Sequence, residues 1–205
     1  MDKFRSNFAT AESRRVRLLE FWEDCLKNLP QDSINEGLTL EIGCGHGHWL
    51  VGYAEKHPLE FCIGIDLITK RIEKACAKLE KREISRIFFL KAEANEFVES
   101  IPNELFLKKI FFLFPDPWPK KRHHKRRLIQ PSFLDQLESL CKNETELFFR
   151  TDHEDYYQWV RSCLSEHPAW DLKTDFEWPF EHESFFQMIL PQHESLHAVC
   201  SNKSH

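Results

Sequence analysis

The chain has 205 residues, 41% of them hydrophobic, and a net charge of −5 at neutral pH. That is enough for one α/β domain with a sizeable buried core. It carries neither a signal-peptide pattern nor an apolar run approaching about eighteen residues, which argues against secretion or a membrane span. Its seven scattered cysteines include no CxxC pair, as in a reduced, cytoplasmic protein.

Apolar residues at Val16, Leu18, Leu19, Trp22, Leu26 and Leu29 keep helical spacing over 13–29. They make an N-terminal helical extension over about 1–35 of a single domain spanning 1–205. "LTLEIG" (38–43) reads as a buried strand, and a helix follows over 48–57. Residues 60–66 form a second strand, and 69–84 a helix with Thr69 as its N-cap. The third strand lies at 86–92, a short helix at 95–101, and the fourth strand at 108–114. A helix opens at Pro131 and runs over 131–143. The fifth strand is 145–151, and a further helix covers 153–167. The acidic remainder, from Pro168, has no clear period. Strands alternating with helices five times predict a doubly wound, Rossmann-like α/β fold, with helices on both faces of a mostly parallel sheet. Ligands of such sheets sit at the carboxyl ends of the strands, where every unusual residue of this sequence falls.

After the first strand, "EIGCGHG" places Glu41, Gly43, Gly45 and Gly47. The spacing is GxGxG rather than the GxGxxG of a pyrophosphate loop, and no Walker lysine follows. A carboxylate at Glu41 repels phosphate and suits a cation. Asp66, ending the second strand, is placed to accept from a ribose diol. The expected ligand is a nucleoside that carries positive charge and no phosphate, a description that fits S-adenosylmethionine. A nicotinamide loop is the competing reading. The pattern resembles the class I methyltransferase fold over about 36–152. That resemblance implies that Glu93 meets the adenine amino group and Ala94 supplies a backbone N–H. Glu93 is equally a favourable helix-start residue.

The stretch "FPDPWPKKRHHKRR" (114–127) holds Asp116 between two prolines and then six cations in the octet 120–127, leaving −11 on the rest of the chain. Pro115 and Pro117 restrain the turn around Asp116. A basic strip on an acidic body can grip phosphate or form a solvated face. Together with "RTDHEDY" (150–156), the stretch resembles the signature of the bacterial tRNA (guanine-N7)-methyltransferase family. The resemblance implies methyl transfer from S-adenosylmethionine to N7 of a guanine in tRNA, in the variable loop, with S-adenosylhomocysteine as product. It gives Asp116 the catalytic position and a cofactor contact, and Lys120 and Asp152 substrate contacts. Arg122, His123, His124, Lys125, Arg126 and Arg127 take the RNA. Asp116 can also stabilise its own turn, and Asp152 can cap the next helix. The family's Thr-x-x-Glu has its best counterpart in "SFFQ", with Ser184 and Gln187 as substrate residues, although S-x-x-Q is also a capping box. The altered tail leaves open a methyltransferase of another RNA or of a small molecule, and a non-catalytic RNA-binding relative. Neither His46 with His48 nor His123 with His124 has a third ligand at metal-site spacing, so no metal is expected.

Overall fold

A computed structural model describes residues 2–80, 82, 84–181 and 192–201. In chain order the elements are α1 (Asp2–Asn28), α2 (Gln31–Glu36), β1 (Leu38–Ile42), α3 (His48–Lys56), β2 (Phe61–Asp66), α4 (Thr69–Leu79), β3 (Ile87–Lys91), α5 (Ala94–Ser100), β4 (Leu107–Leu113), a 3-10 helix (Lys121–Arg126), α6 (Pro131–Glu138), β5 (Cys141–Thr151), α7 (Glu154–Glu166), β6 (Trp170–Lys173) and β7 (Glu194–Cys200).

The seven strands form one sheet in the order β3-β2-β1-β4-β5-β7-β6. The first five are parallel. β7 is antiparallel to both β5 and β6, so the acidic remainder completes the sheet. β1 lies between β2 and β4, the point where the direction of winding reverses and a crevice opens. All five β1 residues are buried, as expected of a strand covered on both faces. One face packs Trp22 of α1, Phe97 of α5, Leu134 of α6 and Val160 of α7. The other packs Trp49 and Tyr53 of α3 and Ala75 of α4, with Trp178 and Phe180 against them.

Several boundaries differ from the sequence reading, among them the end of α4, at Leu79 rather than 84. The first helix begins at Asp2, well before residue 13. Thr69 is the first residue of α4 rather than its cap, and the side chain that binds the entering backbone is Asp66, whose Oδ1 accepts from Ile68 N at 2.8 Å. α6 stops at Glu138, and residues 141–143 join β5 instead, because pairing of Cys141 with Leu107 of β4 outweighs local helix preference.

Candidate active site

A cleft of about 480 Å³ opens at the carboxyl edge of the sheet, and Gly43, Asp66, Glu93, Ala94 and Asp116 line it, with Arg126 at its rim. Lys125 and Arg127 also border it, whereas Glu41, Gly45, Lys120, Arg122, His123, His124 and Asp152 do not. Its size is that of a small-molecule site. Gly43 has a φ of 84° and faces open space, while at Gly47, with φ 69°, a Cβ would lie 2.6 Å from the Phe89 ring. Left-handed backbone at the first and close packing at the second both call for glycine.

Glu41 lies under this loop, 3% exposed, and its Oε2 has no hydrogen-bond partner among the described residues. Burial, followed by the charge of Asp66, pushes its carboxyl up to about 8 from an ordinary 4.5. The folded protein therefore binds more protons than the unfolded chain between those values. The stability this contributes is complete below about pH 4.5 and is lost as pH rises towards about 8. Glu41→Gln removes the titration. It should flatten the fall in Tm across that window by several degrees, as read in thermal melts at a series of pH values. A variant that keeps the wild-type slope would exclude Glu41 as the titrating group.

Asp66 is more heavily engaged than the sequence suggests. Besides Ile68 N, its carboxylate accepts from Gly45 N at 3.1 Å and from Arg71 Nη1 at 3.3 Å. Arg71 lines the cleft and was not singled out from sequence. Its only signal is a cation in the first turn after a strand-end acid. Leu67 and Ile68 beside it are 64% and 45% exposed, an apolar surface at the cleft wall. Glu93 does cap α5, accepting from Glu96 N at 3.0 Å and Asn95 Nδ2 at 2.8 Å. The carboxylate still borders the cleft, so its two readings are compatible. Arg14 of α1 binds both oxygens of Glu96 and so latches α1 against this wall.

The turn carrying Asp116 is strained on both sides. Phe114 and Trp118 have φ of 51° and 44°, a region costly for bulky residues, by roughly 1–3 kcal/mol each. Phe114 N donates to Arg150 O at 2.8 Å, Pro117 O accepts from Arg127 Nε at 2.9 Å, and Arg126 stacks on Trp118 at 5.0 Å. Asp116 and Asp152 are both exposed. Asp152 does not cap α7: the residue at that position is His153, whose N–H goes to Thr151 Oγ1. Ser184 and Gln187 lie outside the described residues.

The basic strip is a 3-10 helix over Lys121–Arg126, in which residues three apart share a side. That period sorts its cations. His123 and Arg126 both turn to Trp118. His124 and Arg127 both turn to Asp155 of α7. Arg122 and Lys125 are exposed. Arg127 is 2% exposed, paired with Asp155, and stacked on Tyr156 and Trp159. This corrects its assignment to RNA: a phosphate cannot reach a guanidinium sealed on this side by two rings and a carboxylate, and Arg127 is an internal brace of the turn.

Among the described residues, Asp135, Glu138 and His167 form a cluster of metal-ligand types. His167 Nδ1 accepts from Ala169 N at 3.2 Å, which leaves the ring proton on Nε2, 3.1 Å from Asp135 Oδ1. In that tautomer His167 is bonded to Asp135 and to the backbone, with Glu138 Oε2 4.0 Å from Nε2.

A parallel sheet with its switch point at β1, a glycine loop without phosphate spacing and acids at successive strand ends define a class I methyltransferase fold. Solved structures agree at the level of fold: an aminoglycoside resistance methyltransferase (TM-score 0.56, 17% identity, 89% of this chain and 93% of that one) and a SAM dependent methyltransferase from Aquifex aeolicus (TM-score 0.55, 16% identity, 87% and 89%). A family profile described as "Putative methyltransferase" matches residues 35–193. A tRNA (guanine-N(7)-)-methyltransferase of Wolbachia pipientis wMel is 33% identical over 164 residues, 75% of this chain and 74% of that one. One of Prochlorococcus marinus (strain AS9601) is 37% identical over 131 residues, 62% and 63%. One of Rhodospirillum rubrum is 34% identical over 143 residues, 69% and 56%. The chain belongs to this methyltransferase family, that of the tRNA (guanine-N(7)-)-methyltransferases. The last two matches span 63% and 56% of the relatives' own lengths.

Proposed function

We propose that the protein transfers a methyl group from S-adenosylmethionine to N7 of a guanine in tRNA, in the variable loop. The observation that carries this reading is the cleft itself, where cofactor-type acids and the Asp116 turn meet beneath a basic rim. Its donor set fits the cofactor. Asp66 offers a carboxylate to a cation, Asp66 and Arg71 offer partners to hydroxyls, and Leu67 and Ile68 offer an apolar wall to a flat base, whereas Glu41 lies buried beneath the glycine loop and outside the cleft lining. When bound, the cofactor supplies an electrophilic methyl group on a positively charged sulfur.

Guanine N7 carries an in-plane lone pair, so attack needs no general base. The base becomes cationic as it is methylated. Asp116 at the cleft is placed to stabilise that charge. Carboxylates at Asp116 and Asp152 also accept from guanine N1–H and the exocyclic amine, which orients N7. Lys120, Ser184 and Gln187 take substrate roles in the same reading. Arg122, Lys125 and Arg126 meet phosphates, which position the RNA without reading its sequence. His123 and His124 pack against Trp118 and Trp159 and set the strip's orientation.

The test is to incubate the protein with labelled S-adenosylmethionine and bulk tRNA, then digest and identify the nucleoside. The expected product is 7-methylguanosine. Label in another base, or none, would reject the assignment. With the wild type active, the double change Arg122→Ala and Lys125→Ala should flatten the slope of log affinity against log salt by about 1.5–2 units, if each meets one phosphate. An unmoved slope would make the strip a solvated face.

A further inference from the structure

Trp118 plays no part in the reaction as described. It lies two residues past Asp116, borders the same cleft and is partly exposed. Its φ of 44° falls in the left-handed region, which a bulky side chain occupies only when its surroundings hold it there. Arg126 lies over one face of the indole, 5.0 Å from the ring centre. The His123 ring stands edge-on to it at 5.9 Å. Both come from the basic 3-10 helix, three residues apart and so on one side of it. Glycine would adopt this backbone without strain, so folding alone gives no reason for an indole here.

The indole N–H is also uncommitted. Trp22, Trp49 and Trp159 donate theirs to Ser100 Oγ, Phe180 O and Ile129 O, at 3.0, 3.1 and 2.9 Å, as tryptophans built into a core do. That of Trp118 has no partner among the described residues. Phe114, the other strained aromatic of the turn, is engaged differently: its ring meets His193 edge-on at 6.0 Å.

Methyl transfer to a purine nitrogen calls for a free aromatic face. The lone pair of N7 lies in the plane of the base, so the base must enter the cleft edge first, separated from its neighbours in the RNA. Taking a base out of its stack costs free energy, and an aromatic ring that stacks on it offsets the cost. Such a ring fixes the plane of the base and leaves its edges open to hydrogen-bonding groups.

We propose that Trp118 is the stacking platform for the target base. It takes the face of the guanine, Asp116 takes the edge, and Arg126, held against the same indole, takes a phosphate of the strand. The inference rests on the reading of the protein as a tRNA methyltransferase.

Two variants separate stacking from bracing of the turn. Trp118→Phe keeps an aromatic face and should raise KM for tRNA by no more than about three-fold. Trp118→Leu keeps apolar bulk without that face and should raise it about ten-fold or more, the worth of one base–aromatic stack. The product of both should still be 7-methylguanosine, since every base has a π face and stacking does not choose among them. Affinity for S-adenosylhomocysteine should stay within about two-fold, because the cofactor wall is built from the ends of β1, β2 and β3. Tryptophan emission supplies the readout that a bracing role would not move. With S-adenosylhomocysteine present, tRNA should quench part of the wild-type emission, and that part should be missing from Trp118→Phe. Equal quenching in the two proteins would overturn the proposal, as would an equal rise in KM in the Phe and Leu variants or a wild-type KM in Trp118→Leu. If Trp118→Leu does not fold, the emission difference still decides. Failure of the wild type to methylate tRNA would instead reject the functional reading, and the quenching would then decide whether a base stacks on Trp118.

Discussion

Asp116→Ala is expected to lower kcat by about 10²–10³-fold while tRNA affinity changes little, because in the proposed reaction the carboxylate acts on charge that forms only as the methyl group moves. The structure sharpens this expectation. Asp116 is held in a turn with left-handed backbone at Phe114 and Trp118, and the turn is tied down by Arg150 O on one side and by Arg127 on the other. A carboxylate in so constrained a place is aimed before substrate arrives, so it needs little reorganisation during the reaction. Asp116→Asn should lose less than alanine, since an amide oxygen still accepts from the guanine edge but carries no charge. Steady-state kinetics at saturating tRNA decide the matter. If kcat holds and only KM rises in Asp116→Ala, the residue binds substrate and the electrostatic account is wrong.

The second large effect is expected at Arg127. Arg127→Ala leaves Pro117 O without its donor, frees Asp155, and empties the space between Tyr156 and Trp159. Because Asp155 is 59% exposed on its side chain, water re-solvates much of the freed charge, and most of the loss is packing and the buried hydrogen bond. We expect a cost of about 3 kcal/mol, or a fall in Tm of about 6–12 °C for a chain of this size. Turnover should fall as well, because Pro117 follows Asp116 directly. The salt dependence of tRNA binding should remain that of the wild type. A variant with wild-type Tm but a flatter salt slope would return Arg127 to the phosphate-binding set.

The site was legible in the sequence because of how a parallel sheet is built. Each strand must run in the same direction, so each strand end falls on one edge, and acids that close successive strands come together whatever the details between them. That is why Asp66, Glu93 and Asp116 were found around one cleft, and why the long 114–127 signature pointed to the family. The sequence alone therefore determined the fold class and the edge of the sheet at which Asp66, Glu93 and Asp116 gather. It did not determine which members of a charge run face the protein. In "KKRHHKRR" the letters are alike, and only the three-residue period of a 3-10 helix laid against α7 turns Arg127 inward and leaves Arg122 and Lys125 outside. Nor could it show that β7 pairs with β5 and brings Ser195 opposite Arg150. That pairing spans 45 residues of chain, and contacts so distant depend on the competition of whole surfaces for burial, which no local pattern of hydrophobicity encodes.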